Sequence, residues 1–259
     1  MTHPLVIAHR GFSARFVENT LTAYRGAIDI GADIVESDAR LSRDGVVFAC
    51  HDATLVRIAG DVRAVSDMTA AELRAVALTR NERLSCLPQT LAEIAPRRPV
   101  LIDVKTPDLP LIEAIIRDVR AHHAIGKVWI GVRDLAQMQR AHALEPGVAL
   151  LAFLQDYTHA GQFEQAGARA FRVWEGEVDE PAARQVLRNR PSWVTMGGKH
   201  TPCEVGDTTP ERLARILALG PQGILLNDPG LMTGAPAVGS PVAPARVGPS
   251  STPSSVDRP

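Results

Sequence analysis

The sequence predicts the α/β fold class, as a (β/α)8 TIM barrel, and three observations carry that expectation. Eight short β-type runs alternate with amphipathic helical stretches over about 230 of the 259 residues, which matches the size and rhythm of such a barrel. The first run ends in His9-Arg10-Gly11, so the glycine-rich dinucleotide turn of an open doubly wound sheet is missing. Charged residues gather at the ends of the early runs, where a barrel places its chemistry.

The runs span residues 5–9, 33–40, 99–105, 128–132, 149–154, 168–174, 193–196 and 223–227. Asp44-Gly45 supplies the positive φ of a tight turn, so residues 46–50 return as a hairpin partner of the second run. Thr106-Pro107 reads as an N-cap and first helical residue, followed by Leu111, Ile112, Ile115, Ile116 and Val119 on one face. Thr209-Pro210 opens a helix with Leu213, Ile216 and Leu217 inward and Gly220 to stop it, and Thr69 and Glu72 have the spacing of a capping box. No change of composition divides residues 1–233, which are expected to form one domain. Residues 234–259 hold six Pro, five Ser and three Gly with few large apolar side chains, too little to offset the entropy of ordering, and are expected to be a disordered tail.

Composition narrows the function. With 28 basic and 29 acidic residues the net charge is -1, without the basic excess that a nucleic-acid backbone demands, so nucleic acid is excluded as a partner. Cys50, Cys86 and Cys203 form no CxxC pair, which argues against a disulfide framework or a thiolate zinc site and for a reducing compartment. The N-terminal apolar run turns charged at Arg10, and no run is long enough to cross a bilayer. A cytoplasmic protein without stable membrane insertion is expected; the oligomeric state is left open.

The site is read from the strand ends. The first run ends in His9-Arg10, the second carries Glu36 and Asp38, the hairpin return ends in His51-Asp52, and the third carries Asp103 and Lys105. Side chains two apart on a strand share a face, so Glu36 aims with Asp38 and Asp103 with Lys105. Three converging carboxylates repel unless a cation relieves them, and carboxylate oxygens suit a hard divalent ion, Mg²⁺ or Ca²⁺. No cysteine or histidine cluster accompanies them, which disfavours zinc. His9 and His51 suit a proton relay, with acid and base unassigned. Arg10 brings a planar fork and Lys105 a compact charge for phosphate oxygens, making a phosphodiester the simplest small-molecule substrate.

The run His9-Arg10-Gly11, Glu18-Asn19-Thr20, Gly31-Ala32-Asp33, Glu36, Asp38, Asp44-Gly45 and His51-Asp52 resembles the glycerophosphodiester phosphodiesterases. Further similarity lies in Thr54-Leu55 with Arg57, in Met68 to Leu73, in Leu87 to Leu91 and in the segment from Gly223 to Pro229. The resemblance covers most of residues 5–230. It implies a metal-dependent barrel that cleaves deacylated phospholipid diesters into sn-glycerol 3-phosphate and an alcohol. By position, His9 and His51 become the acid–base pair, Glu36, Asp38 and Asp103 the metal ligands, and Arg10 and Lys105 the phosphate clamps. A short insertion after the second histidine, at about residues 53–90, is implied as well. Two departures stand out: Asp103 where the family usually has Glu, and Val194-Thr195-Met196-Gly197-Gly198 where it usually has a Trp-Thr-Val-Asn-like run.

The chemistry leaves rivals. The carboxylates and cations can be read as a charge-balanced network alone, Glu18-Asn19-Thr20 as a helix cap, and Cys50 as a buried apolar residue. Asp52 is expected to orient a neighbour; Arg57 can do so or pair at the surface. Lys199, His200 and Cys203 follow the seventh run, and Trp174 lies at a substrate alcohol or the barrel rim. The nucleophile is water or a neighbouring glycerol hydroxyl. Other readings are a lyase forming a cyclic phosphate, disfavoured by the lack of a basic-aromatic membrane helix, and a weakly catalytic phosphodiester-binding module.

Overall fold

The computed structural model describes residues 3–234; the expected tail from residue 235 onward lies outside them. Eight strands, β1 (Leu5–Ala8), β2 (Ile34–Leu41), β3 (Val100–Val104), β4 (Val128–Val132), β5 (Ala149–Ala152), β6 (Ala170–Trp174), β7 (Ser192–Thr195) and β8 (Gly223–Leu226), pair in parallel in chain order. β1 pairs with both β2 and β8, which closes the sheet into the expected barrel.

The period of two runs around the whole barrel. Ile7, Ile34, Leu101, Leu151, Ala170, Trp193 and Leu225 are buried in one apolar cluster, with Trp129 packed against it. They share a register: Ile7 lies beside Ile34 and Leu225, Leu101 beside Trp129, and Leu151 beside Ala170. This cluster fills the interior. The alternate positions, such as Val6, Val35, Ile102, Ile130, Leu150 and Val194, join the larger core between sheet and helices. Both faces are therefore apolar at the lower end, as a parallel sheet covered by helices requires. Two residues higher, the interior turns polar.

The hairpin forms at Asp44-Gly45, where Gly45 has φ +80° and Val47–Phe48 pairs antiparallel with Arg40 and Leu41. Its return is shorter than expected, because after Phe48 the chain leaves β2 and Ala49 N–H donates to Ser85. A two-stranded antiparallel sheet of Thr54–Leu55 and Asp61–Ala64 and a helix Ala70–Ala75 follow. They carry a separate small core that includes Phe48, Leu55, Met68, Leu73 and Leu84. The helix Leu87–Ile94 instead packs its Leu87, Leu91 and Ile94 into the barrel's outer core.

Helix starts test the capping chemistry. Thr69 and Glu72 form a reciprocal capping box, and Thr209 caps the helix Pro210–Leu217 by accepting from Arg212 N–H. The start expected at Thr106-Pro107 is displaced. That helix runs Leu109–Ala121, with Asp108 at the N-cap and Pro110 in the first turn. A second proline three residues on offers the same preset φ, and Thr106 is instead held by its carbonyl, which accepts from Gln137 Nε2 at 2.7 Å. No helix among the described residues is long and apolar enough to cross a membrane.

Gly131 on β4 occupies an interior position beside Asp103 and Leu151. A Cβ there would overlap the Phe153 ring, so the missing side chain is what admits that ring to the barrel's upper layer. Gly131→Ala should destabilise the fold by about 1–3 kcal/mol through overpacking, read as a lower urea midpoint; an unchanged midpoint would contradict this packing role.

Candidate active site

The polar upper layer opens into a cavity of about 510 Å³ lined by residues from nearly every strand end. His9 follows β1, Glu36 and Asp38 lie within β2, Asp103 lies within β3, and Lys105 directly follows it. Asp38 and Asp103 are register partners on adjacent strands, so their carboxylates meet without any loop to position them.

Glu36, Asp38 and Asp103 are each buried and offer oxygens within 4.8 Å of one another. Fixed cations share the charge. Lys105 Nζ sits 2.7 Å from Asp38 Oδ1 and 2.5 Å from Asp103 Oδ2, and Arg10 Nε is 3.2 Å from Asp38 Oδ2. Arg133 grips Asp103 with both ends of its fork, at 2.5 and 2.9 Å. Burial opposes ionisation of Asp38, but Lys105 and Arg10 outweigh it and hold this carboxyl far below the usual range. For Asp103, burial is likewise outweighed, by Lys105 and Arg133.

Glu36 is different. Its Oε2 accepts from the backbone N–H of Arg10 at 2.6 Å, while Oε1 is buried without a hydrogen-bond partner. Burial and the charges of Asp38 and Asp103 push its pKa well above the ordinary value. A buried, orphaned carboxylate oxygen beside two ionised carboxylates is the environment that a hard divalent cation satisfies. The three residues fit such an ion.

The two imidazoles line the same cavity with different partners. His9 is 6 % exposed, and its Nδ1 lies 2.7 Å from Asn227 Oδ1. Asn227 Nδ2 donates to Val205 O and Asp207 Oδ1, which orients the amide with its oxygen toward His9. The proton therefore resides on His9 Nδ1, and Nε2 carries the lone pair. Burial first, then Arg10, lowers the His9 pKa to about 4. His51 Nδ1 instead faces a carboxylate, Asp52 Oδ1, at 2.7 Å. Burial and Lys105 lower its pKa too, against the pull of Asp38 and Asp52.

Asp52 thus touches His51, and Arg57 ties Asp52 to Glu18 through contacts of 2.6, 2.7 and 2.8 Å. Glu18 also holds Arg10 at 3.0 Å. Thr20 caps the helix Leu21–Asp29 as the bland reading expects, but Asn19, at φ +59°, donates from Nδ2 to Asp38 Oδ2 at 2.7 Å. Cys50 is buried and its thiol is pushed up to about 12 by burial and Asp38, so it packs rather than reacts. Lys199 and His200 are exposed, with Lys199 3.6 Å from Glu177. Neither they nor Cys203 line the cavity.

Arg133, Phe153 and Arg172 line the cavity although they have no role in the sequence reading, and Asn227 appears there only as part of the segment from Gly223 to Pro229. Arg133, Phe153 and Asn227 directly follow their strands and Arg172 lies within β6, all on the interior parity, so the period-two rule applied to β4, β5, β6 and β8 would have found them. Arg172 is 3 % exposed and stacks over Trp174 at 3.9 Å and Phe153 at 5.0 Å.

The glycerophosphoryl diester phosphodiesterase family model matches residues 9–165. The chain belongs to this family. The family is one of phosphoric diester hydrolases, and its matched segment begins at His9 and contains His51 and all three acidic residues. A glycerophosphodiester phosphodiesterase of Arabidopsis thaliana is 28 % identical over 253 residues, 89 % of this chain and 73 % of that protein. Two Mycobacterium tuberculosis relatives are 51 % identical over 72 residues, 28 % of this chain, so those matches span about a quarter (26 %) of their length. Among solved structures, a phosphodiesterase of Oleispira antarctica in complex with the product sn-glycerol-3-phosphate aligns with TM-score 0.77 at 18 % identity, covering 90 % of this chain and 96 % of that one. The Thermotoga maritima glycerophosphodiester phosphodiesterase aligns with TM-score 0.73 at 22 % identity, covering 90 % and 99 %. At these identities the structural likeness is one of fold.

A neutral, buried His9 links stability to pH. The unfolded chain protonates this group near 6.5 and the folded chain only near 4, so its contribution is full above pH 6.5 and is lost as pH falls toward 4. Between pH 7 and 4.5 wild type should lose about 2–3 kcal/mol more unfolding free energy in urea than His9→Asn. Equal losses would reject the shift.

Proposed function

We propose that this chain hydrolyses glycerophosphodiesters to sn-glycerol 3-phosphate and an alcohol, and that residues 1–233 act as one catalytic unit. The observation that carries the reading is the convergence of two differently partnered imidazoles, a buried carboxylate trio and the cations Arg10 and Lys105 on one cavity. Family membership supports it, as does the product bound by the Oleispira relative. Glu36, Asp38 and Asp103 would hold one Mg²⁺ or Ca²⁺, which supplies Lewis-acid charge to the phosphoryl oxygens when bound.

The hydrogen bonds divide the proton work. His9 keeps its proton on Nδ1 by donating to an amide oxygen, which offers no charge to stabilise an imidazolium. Its Nε2 is therefore the base, accepting the proton of water or of a neighbouring glycerol hydroxyl. His51 donates to Asp52, whose charge stabilises an imidazolium, so its other nitrogen protonates the departing alkoxide. Arg10 offers a planar fork to the nonbridging oxygens, and Lys105 adds a point charge. Free Cys50, Cys86 and Cys203 support a cytoplasmic location.

His9→Ala and His51→Ala should each lower glycerol 3-phosphate release from glycerophosphoglycerol by about 10²–10⁴-fold, in a coupled dehydrogenase assay; near-normal turnover by either variant would remove that histidine from the mechanism. Exhaustive chelation should abolish turnover, with recovery on adding Mg²⁺ or Ca²⁺, and Asp103→Ala should weaken cation affinity in a direct titration. Full activity after chelation would defeat the metal assignment.

A further inference from the structure

The arginines and the lysine lining the cavity pair off with one exception. Arg10 is matched by Glu18 and Asp38, Arg57 by Glu18 and Asp52, Lys105 by Asp38 and Asp103, and Arg133 by Asp103. Arg172 is buried in the cavity wall, yet no hydrogen bond or ion pair joins its side chain to any described residue, and its Nε is buried without a partner. Asp103 and Glu177, whose charges reach it, are already engaged. Lys105 and Arg133 hold the first, and the Tyr157 hydroxyl donates to the second at 2.5 Å. Glu204, exposed at the rim, pairs with none of these cations.

A buried guanidinium is costly unless something compensates it. Here the aromatic rings do part of that work: Trp174 and Phe153 meet Arg172, and Phe153 also meets Arg133 at 4.7 Å. Stacking on a ring face leaves the in-plane N–H edges of a guanidinium free for a planar or tetrahedral anion. Burial, with Arg133 next, lowers the Arg172 pKa to about 10, which leaves it charged at neutral pH.

Topology separates this cation from the scissile phosphate. In the closed eight-strand order, β6 lies four strands from β2 in either direction, so Arg172 stands on the wall opposite Glu36 and Asp38. His9, Arg10, His51 and Lys105 all belong to β1, β2, β3 or the loops that follow them. A diester held by those residues has room to extend one of its two arms across the cavity toward β4 to β6.

We propose that Arg172, with Arg133 beside it, is a second anion subsite that selects glycerophosphodiesters whose alcohol portion bears an additional carboxylate or phosphate. The inference rests on the proposed hydrolysis and adds the substrate class. It also predicts discrimination against cationic headgroups, because a quaternary ammonium would meet an uncompensated guanidinium.

The experiment uses two matched pairs with the purified full chain and divalent cation. Glycerophosphoserine differs from glycerophosphoethanolamine by one carboxylate, and glycerophosphoinositol 4-phosphate from glycerophosphoinositol by one phosphate. Wild type should favour the more anionic member of at least one pair by about tenfold or more in kcat/KM, and which pair responds identifies the anion. Arg172→Met should bring that ratio to about one, and Arg172→Lys should restore part of it. No preference in either pair, or an equal loss on all four diesters in Arg172→Met, overturns the subsite while leaving hydrolysis standing. If no diester turns over, the hydrolytic reading fails, and calorimetry tests the subsite alone. Wild type should then bind inositol 1,4-bisphosphate about tenfold more tightly than inositol 1-phosphate, a difference lost in Arg172→Met; equal affinities for wild type overturn the proposal.

Discussion

Three carboxylates buried at one end of a closed barrel set the terms for everything around them. Glu36, Asp38 and Asp103 lie on adjacent strands with Asp38 and Asp103 in register, so their repulsion cannot be relieved by moving a loop. It is relieved by charge. Lys105 directly follows β3, Arg10 and Arg133 follow the flanking strands β1 and β4, and with all groups ionised the six charges sum to zero. Because the cations are matched mainly to Asp38 and Asp103, the unrelieved part of the repulsion collects on Glu36, whose pKa rises and whose Oε1 has no partner. An added divalent ion would compensate that carboxylate and leave the cluster with a net positive charge.

The same field differentiates the histidines. Both imidazoles feel Arg10 and Lys105, which disfavour a second positive charge. Asp38 counters that field at both rings; in direct contact, His9 has an amide and His51 has the carboxylate of Asp52. Asp52 is in turn held by Arg57, and Arg57 by Glu18, which returns to Arg10. One chain of ion pairs therefore runs from Arg10 to the carboxylate behind the second imidazole. It crosses from the loop after β1 to the segment after the hairpin, and its half-exposed members are individually weak but share partners.

Fold and acidic trio were legible in the sequence for one reason: strand periodicity converts spacing directly into facing. Glu36 with Asp38 and Asp103 with Lys105 needed no knowledge of distant packing. Helix starts were legible where a single capping signal competed, as at Thr69 and Thr209, and misplaced where two prolines stood three apart, at Pro107 and Pro110. Asn19 looked like part of a cap and is also a positioning group for Asp38, because its side chain faces β2 while its neighbour Thr20 closes the helix. Arg133 and Arg172 escaped because each is a lone polar residue on or just after its strand, and Asn227 stood in its segment without a role. Only closure of the barrel brings β4, β6 and β8 around to face the residues of β1 to β3.

The departure at Asp103 and the overlooked Arg133 belong together. Asp103 lies beside Gly131 in the ladder, and Arg133 is the next interior residue on that strand. A carboxylate one methylene shorter than Glu stays closer to its own strand and within reach of a guanidinium projecting from the neighbouring one, which grips it through both oxygens. Gly131 leaves the space that lets Phe153 lie in this layer, and the ring then meets both Arg133 and Arg172. Asp103, Gly131, Phe153 and the two arginines are thus linked along a single row of the barrel. Together they extend positive charge from Lys105 after β3 across the cavity to β6, where Arg172 lies over the Trp174 ring.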